Sequence, residues 1–332
     1  MGDQSLWKYC TREHCRKLLT EFQLFGEMNW SKERQIACLY ALSNHIPGHY
    51  RTALIPKRDG TSRKLCIPDT LLKLVQRNIL HHILDQLPAS SYATAYRKGV
   101  TIVSNVSGHT GQEKILKLDI HDFFGSIPFI MVYQSVFHSE RFPPAAGTLL
   151  THLCCYNGCL PQGAPSSAAI SNLVMKPFDE YMGSWCEKRG IIYTRYCDDM
   201  TFSGSFLAYK VKNKVRSFLR VIGFELNEKK TKLLLAGQRQ AVTGIVVNVK
   251  PQVSKEYRRK LRQEVYYCLE FGAESHLQHM CAQDSGTKEA AGQYLQRLLG
   301  KINFVLQVNP EDEYFKEARE RLRRNQIERE ER

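Results

Sequence analysis

A chain of 332 residues is long enough to bury a sizeable core and to divide into two or three subdomains, which excludes a small disulfide-stapled scaffold. Its 47 Lys and Arg against 33 Asp and Glu leave a net charge of +14, an excess that calls for a polyanionic partner, nucleic acid first. With no apolar run of signal-peptide length in MGDQSLWKYCTREHC, no stretch of roughly eighteen apolar residues anywhere and an odd 11 cysteines, the expectation is a cytoplasmic protein with reduced thiols and no membrane partner.

Leu18, Leu19, Phe22 and Phe25 recur at helical spacing, and Ser31 is a plausible N-cap, so residues 1–45 read as a helical N-terminal extension. In YRTALIPKRDGTSRKLCIPD, Tyr50 to Asp69, two apolar runs flank Lys57-Arg58-Asp59-Gly60, which predicts a β-hairpin with a basic tip. Leu71, Leu74, Val75, Ile79, Ile83 and Leu87 predict one amphipathic helix over 70–87, ended by Pro88. Lys114 to Leu118 is a buried strand with Asp119 at its end, followed by a helix from about Pro128. LPQGAPSSAAISNLVMKPFDEYM opens on Pro and Gly and becomes helical, with small residues along its first turns that let something approach closely. A hairpin over Ile191–Gly204, a basic helix over Tyr209–Ile222 and a strand-like AVTGIVVNV follow. After Pro251 the pattern turns helical, which puts a boundary near 250, and the charged tail from Glu311 reads as a solvated helix. Cys154, Cys155 and Cys159 near His152 lack the second ligand pair that a zinc site needs.

Asp198 and Asp199 stand side by side at the tip of the second hairpin. Two like charges about 4 Å apart repel by roughly 4 kcal/mol at an effective dielectric near 20, so a compensating cation is called for unless the pair is simply a solvated turn. If strand order brings Asp119 beside them, three carboxylates make an all-oxygen site suited to Mg²⁺, with the main-chain carbonyl of Ile120 as a further ligand. Two such ions can activate a sugar hydroxyl and stabilise a departing pyrophosphate, and nucleotidyl transfer is the reaction this geometry favours.

LKLDIHDFFGSI, LPQGAPSS, TRYCDDMTFSG and GFELNEKKT, together with IPKRDGTSRKLCIPD, resemble the ordered motifs of reverse transcriptases and cover most of residues 50–250. The resemblance implies an α+β right-hand polymerase with fingers, a palm of antiparallel sheet and a helical thumb: residues 46–250 as fingers and palm, 251–332 as thumb and RNA-binding region. It implies that Asp119, Asp198 and Asp199 bind two Mg²⁺ ions, for which Mn²⁺ can substitute. Phe124 matches the aromatic gate that would collide with a ribose 2′-hydroxyl, although the residues alone favour an ordinary core phenylalanine. Gln162 and Gly163 match the loop supporting incoming nucleotide and template, and Lys57 and Arg63 match basic finger residues that grip triphosphate. Lys230 matches a lysine near the leaving pyrophosphate, its alternative being a solvated helix-end lysine.

Two further strings resemble the marks of retron reverse transcriptases. Asn105 to His109 (NVSGH) matches one, with Val106 where alanine is usual, and Val242, Thr243 and Gly244 match the other. The retron resemblance implies a cognate structured RNA as template and primer, dNTPs as substrates, an RNA–DNA product begun from a guanosine 2′-hydroxyl, a neighbouring effector protein and a role in anti-phage defence. Asn105, His109, Val242, Thr243 and Gly244 are then expected to recognise RNA, joined by Lys255, Tyr257, Arg258, Arg259 and Arg262 of a basic, aromatic-bearing helix. That helix also reads as a packing helix with a solvated face. Another bacterial defence-associated or intron-like reverse transcriptase, and a structured-RNA-binding protein with secondary catalysis, are the alternatives. No room is expected for a ribonuclease H, endonuclease or integrase domain.

Overall fold

A computed structural model describes residues 10–56, 60–275, 277 and 291–330. The chain divides into two compact units: residues 1–100, 116–202 and 206–233 form one, and residues 101–115, 203–205 and 234–332 the other.

The first unit opens with α1 (Arg12–Glu21) and α2 (Lys32–Asn44), started by the side chains of Thr11 and Ser31, which accept from the backbone N–H of His14 and Arg34. β1 (Tyr50–Pro56) and β2 (Ser62–Pro68) pair antiparallel in the expected hairpin, from Tyr50 opposite Pro68 to Pro56 opposite Ser62. Asp69 caps α3 (Thr70–His82), accepting from the Leu72 N–H at 2.8 Å. The helix expected to run to Leu87 stops at His82, and Leu84–Gln86 is a tighter 3₁₀ turn. The break falls at Ile83, whose backbone (φ −120°, ψ −59°) leaves the helical region while its side chain and that of Leu84 stay buried.

A four-stranded sheet forms the centre, in the order β4 (Ile192–Tyr196), β5 (Asp199–Gly204), β3 (Lys114–Asp119), β6 (Lys232–Leu235). The two-residue turn Cys197-Asp198 makes β4 and β5 an antiparallel hairpin. Five helices accompany it: α5 (Phe129–Ser135), α6 (Pro144–Cys154), α7 (Ser167–Val174), α8 (Lys176–Glu187) and α9 (Ala208–Val221). Phe178, Met182, Met200, Phe202 and Leu219 are fully buried, and the Tyr193 and Phe202 rings stack at 4.8 Å. The α+β class and the sheet-and-helix palm read from the sequence stand.

The second unit holds α4 (Ile102–Val106), the short hairpin β7 (Ala241–Val242) and β8 (Ile245–Val246), α10 (Lys255–Phe271), and the helices Ala291–Val308 and Glu313–Glu330. Its core joins Val106, Ile115, Val242, Ile245, Leu261, Val265, Ile302 and Phe315. The boundary expected near 250 falls inside this unit, because residues 101–115 and 234–247 bury their apolar side chains in the same core as α10. AVTGIVVNV is a hairpin rather than one strand: Thr243 (φ +46°) and Gly244 (φ +86°) turn the chain back in two residues. Nor is the tail wholly solvated, since Phe315, Ala318 and Leu322 are buried. No helix among the described residues is long and apolar enough to cross a membrane.

Candidate active site

The strand order carries the ends of β3 and of the β4–β5 hairpin to one edge of the sheet. Asp119 is the last residue of β3, Asp198 the second residue of the turn, and Asp199 the first of β5. The Ile120 N–H donates to the Asp198 carbonyl at 3.1 Å, which joins the two strand ends directly, and the Asn227 N–H donates to the Asp119 carbonyl at 2.7 Å. Asp119 is buried, while Asp198 and Asp199 are half-buried.

The electrostatics tie the three carboxylates into one cluster. Burial raises the Asp119 pKa, opposed by a hydrogen bond from Lys230 and reinforced by the charge of Asp198. Burial likewise raises Asp199, the ammonium of Lys117 opposes it, and Asp198 and Asp119 both add to it. Lys230 donates to Asp119 Oδ2 at 2.8 Å from the end of the 3₁₀ turn Glu228–Lys230. Burial works against that ammonium, yet the bond to Asp119 and the charges of the three aspartates outweigh it and its pKa is raised.

Among the described residues no three His, Cys, Asp or Glu side chains are set around a ready metal position. The donor chemistry nevertheless fits a divalent cation: Asp119 Oδ1 is buried with no hydrogen-bond partner, beside two further carboxylates. A cation would be held by Asp119, Asp198 and Asp199, with the Ile120 carbonyl as the further oxygen expected from the sequence.

Of the other expected nucleotide contacts, Gln162, Gly163 and Arg63 lie on or against β2 of the β1–β2 hairpin, and Phe124 follows β3. Phe124 is half-buried, packed against the core with its ring 5.4 Å from that of buried Phe123. The Gln162 carbonyl accepts from the Cys66 N–H of β2 at 2.8 Å, and Gly163 sits at φ +121° where a Cβ would come within 2.9 Å of the Cys66 carbonyl oxygen. Only glycine fits there. Arg63 is exposed on β2, and Lys57 lies outside the described residues.

The residues expected to recognise RNA separate into two groups. Asn105, His109 and Val242 are buried. Asn105 Nδ2 donates to Thr243 Oγ1 at 3.2 Å, and His109 Nδ1 lies 2.6 Å from Ser203 Oγ. These side chains position the β7–β8 turn and its surroundings, whereas Gly244 is exposed at the tip and Thr243 half-buried. On α10, Tyr257 packs edge-on against Phe304 at 6.1 Å, Arg258 reaches Asp312 at 3.8 Å, and the Arg262 guanidinium lies over the Tyr314 and Phe315 rings at 5.0 and 5.7 Å. All three make contacts within their own unit, although Arg262 is exposed, as are Lys255 and Arg259, which carry no such contact among the described residues.

Sequence reading missed Lys117, Asp179 and Arg195. Burial alternates strictly from Ile191 to Cys197, so a signal for Arg195 was there: an arginine on the inward phase of a strand needs a buried partner.

The family of reverse transcriptases (RNA-dependent DNA polymerases) matches residues 55–268. The chain is 34% identical over 238 residues to the retron Ec86 reverse transcriptase of Escherichia coli, an alignment covering 70% of this chain and 73% of that one. It is 34% identical over 233 residues to the retron Mx65 reverse transcriptase of Myxococcus xanthus, covering 64% of this chain and 55% of that one. Among solved structures, a telomerase from Candida albicans in complex with a fragment of telomeric RNA aligns with a TM-score of 0.44 at 11% identity, over 83% of this chain and 63% of that one.

Proposed function

The chain belongs to the retron reverse transcriptases, within the family of RNA-dependent DNA polymerases, and on that premise we propose that it copies one cognate structured RNA into DNA that stays linked to RNA, in defence against phage. The observation that carries the reading is the meeting of Asp119 with Asp198 and Asp199 at one sheet edge, with Lys230 against them.

In this reading the two β1–β2 strands belong to the fingers, the central sheet with α5 to α9 to the palm, and α10 with the two helices after it to the thumb. Two Mg²⁺ ions, or Mn²⁺ in their place, would supply Lewis-acid stabilisation of the reacting phosphate oxygens. The chain's own residues do the rest. Asp119, Asp198 and Asp199 fix the edge at which the primer hydroxyl and the incoming dNTP are brought together. Phe124 offers its ring to the sugar of that nucleotide and rejects a 2′-hydroxyl by contact. The Gln162-Gly163 backbone supports the nucleotide against the template, Arg63 and Lys57 hold its triphosphate, and Lys230 stands where negative charge accumulates on the leaving group. The β7–β8 turn at Thr243-Gly244, with Lys255 and Arg259 of α10, is the surface we assign to the RNA. An effector protein encoded nearby would act on or through the RNA–DNA product.

The test is to extract nucleic acid that co-purifies with the protein and sequence it with and without ribonuclease. A branched RNA–DNA of one defined sequence is the expected result, absent from the Asp198→Asn variant. DNA synthesis on primed RNA without any such species would move the protein to another bacterial reverse transcriptase, and no synthesis at all would overturn the polymerase reading.

A further inference from the structure

Behind the carboxylate edge lies an ion pair that the nucleotidyl-transfer reading leaves unused. Arg195 of β4 and Asp179 of α8 have fully buried side chains. The guanidinium forks onto the carboxylate, Nε to Oδ1 at 2.8 Å and Nη2 to Oδ2 at 2.6 Å, and the Tyr193 hydroxyl donates to the same Oδ1 at 2.8 Å. The remaining arm, Nη1, donates to the carbonyl oxygen of Cys197 at 2.9 Å.

Stability alone is a poor reason to keep such a pair. Removing each ion from water costs several kcal/mol, and well-packed apolar residues of similar volume commonly do as well or better. The third bond identifies what the pair holds. Cys197 is the first residue of the β4–β5 turn and sits at φ +61°, a left-handed conformation that is strained for a residue with a Cβ and persists only where its surroundings enforce it. Its carbonyl belongs to the peptide that enters Asp198, and the Asp198 carbonyl in turn accepts from the Ile120 N–H at 3.1 Å, one residue past Asp119. The frame behind Arg195 is fixed as well: its N–H donates to the Tyr92 carbonyl and its carbonyl accepts from the Thr94 N–H, both at 2.8 Å.

We propose that Arg195, clamped by Asp179, is a positioning residue for nucleotidyl transfer: it locks the left-handed Cys197 peptide and thereby aims Asp198 and Asp199 at the same point as Asp119. The inference rests on the polymerase reading and adds a dependence of that site on a buried pair that touches no substrate.

The pair is removed without leaving a lone buried charge by the double substitution Arg195→Met with Asp179→Leu, and Cys197→Gly is then added, because glycine takes φ > 0 with no Cβ penalty. Melting temperature, backbone hydrogen exchange across residues 196–199, and kcat and KM for dNTP on a primed RNA template are measured for each. The double variant is expected to keep its melting temperature within about 5 °C, to exchange the turn amides at least about ten-fold faster, and to lose about 100-fold in kcat with KM within about three-fold. Adding Cys197→Gly should return at least about ten-fold of that kcat and slow the exchange. An unchanged kcat in the double variant overturns the proposal, and so does a loss that glycine fails to recover, which would make Arg195 a packing residue. Should the double variant not fold, Arg195→Lys decides: lysine keeps the charge, but its donors sit on one nitrogen and cannot span the fork onto Asp179 and the separate bond to the Cys197 carbonyl that three guanidinium nitrogens make, so a similar kcat loss is expected in a folded protein, and full activity overturns the clamp. If the unaltered protein makes no DNA, the polymerase reading fails, while the exchange rates still report whether the pair holds the turn.

Discussion

Lys230 Nζ and Asp119 Oδ2 meet at 2.8 Å across 111 residues of sequence, the lysine side chain 58% exposed and the carboxylate side chain 6% exposed. The ammonium balances the three-carboxylate cluster, and any divalent cation drawn to Asp119 has to compete with it. A pair this open to water is worth about 1 kcal/mol or less, so Lys230→Met is expected to lower the half-saturating Mg²⁺ concentration for DNA synthesis about three-fold. The maximal rate should fall about ten-fold if, as proposed, Lys230 stands beside the leaving group. Metal titrations of primer extension check both, and an unchanged half-saturation point would show that Lys230 and the metal do not compete.

Phe124 is half-buried beside the buried ring of Phe123. Trimming it to Ala should raise ribonucleotide incorporation relative to deoxynucleotide by about 10- to 100-fold, with DNA synthesis reduced far less. Competition between dCTP and CTP on one template measures the ratio. Unchanged sugar selectivity would return Phe124 to the core.

His109 is fully buried, and burial pushes its pKa down to about 4 from the ordinary 6.5. The unfolded chain therefore takes up the proton first as pH falls. Stability present above pH 6.5 is lost progressively down to about pH 4, by about 3 kcal/mol in total from this group. Urea unfolding at pH 7.5 and 4.5, compared between the unaltered protein and His109→Gln, should show the acid loss shrinking in the variant. Equal acid loss in both proteins would mean that His109 is not held neutral.

Thr243 accepts a hydrogen bond from Asn105 Nδ2 while its backbone is left-handed at φ +46°. Thr243→Val removes the acceptor of that bond, at a cost of about 0.5–1.5 kcal/mol to the local structure. Use of the cognate RNA should fall at least about ten-fold further than synthesis on a generic primed template, whereas Thr243→Ser should retain both. Parallel assays on the two templates make the comparison, and an equal loss on both would separate this turn from RNA recognition.

The carboxylate site was legible because its parts are local: a strand ending in Asp119 and a hairpin with Asp198 and Asp199 in its turn are written in alternation and turn chemistry, and motif order supplied the pairing. Gly163 was legible too, since a glycine at a close backbone approach leaves a sequence mark. What stayed hidden depends on partners far along the chain. Nothing near Asn105 or Val242 says that residues 101–115 and 234–247 share a core with α10, so their burial, and the origin of the second unit well before residue 250, emerge only in three dimensions. Arg195 shows the intermediate case: its inward phase could be read, but its fork onto Asp179 and its hold on Cys197 could not.

The engagement of two α10 cations by groups of their own unit bears on how nucleic acid affinity answers to ionic strength. Arg258 is drawn to Asp312 and Arg262 to two aromatic rings, so neither releases a condensed counterion when a phosphate approaches as freely as Lys255 or Arg259 does. Each withheld cation lowers the slope of log affinity against log salt by about 0.7 to 0.9. Binding will therefore survive salt better than a net charge of +14 suggests, and the share of affinity that salt cannot erase will come from shape and stacking.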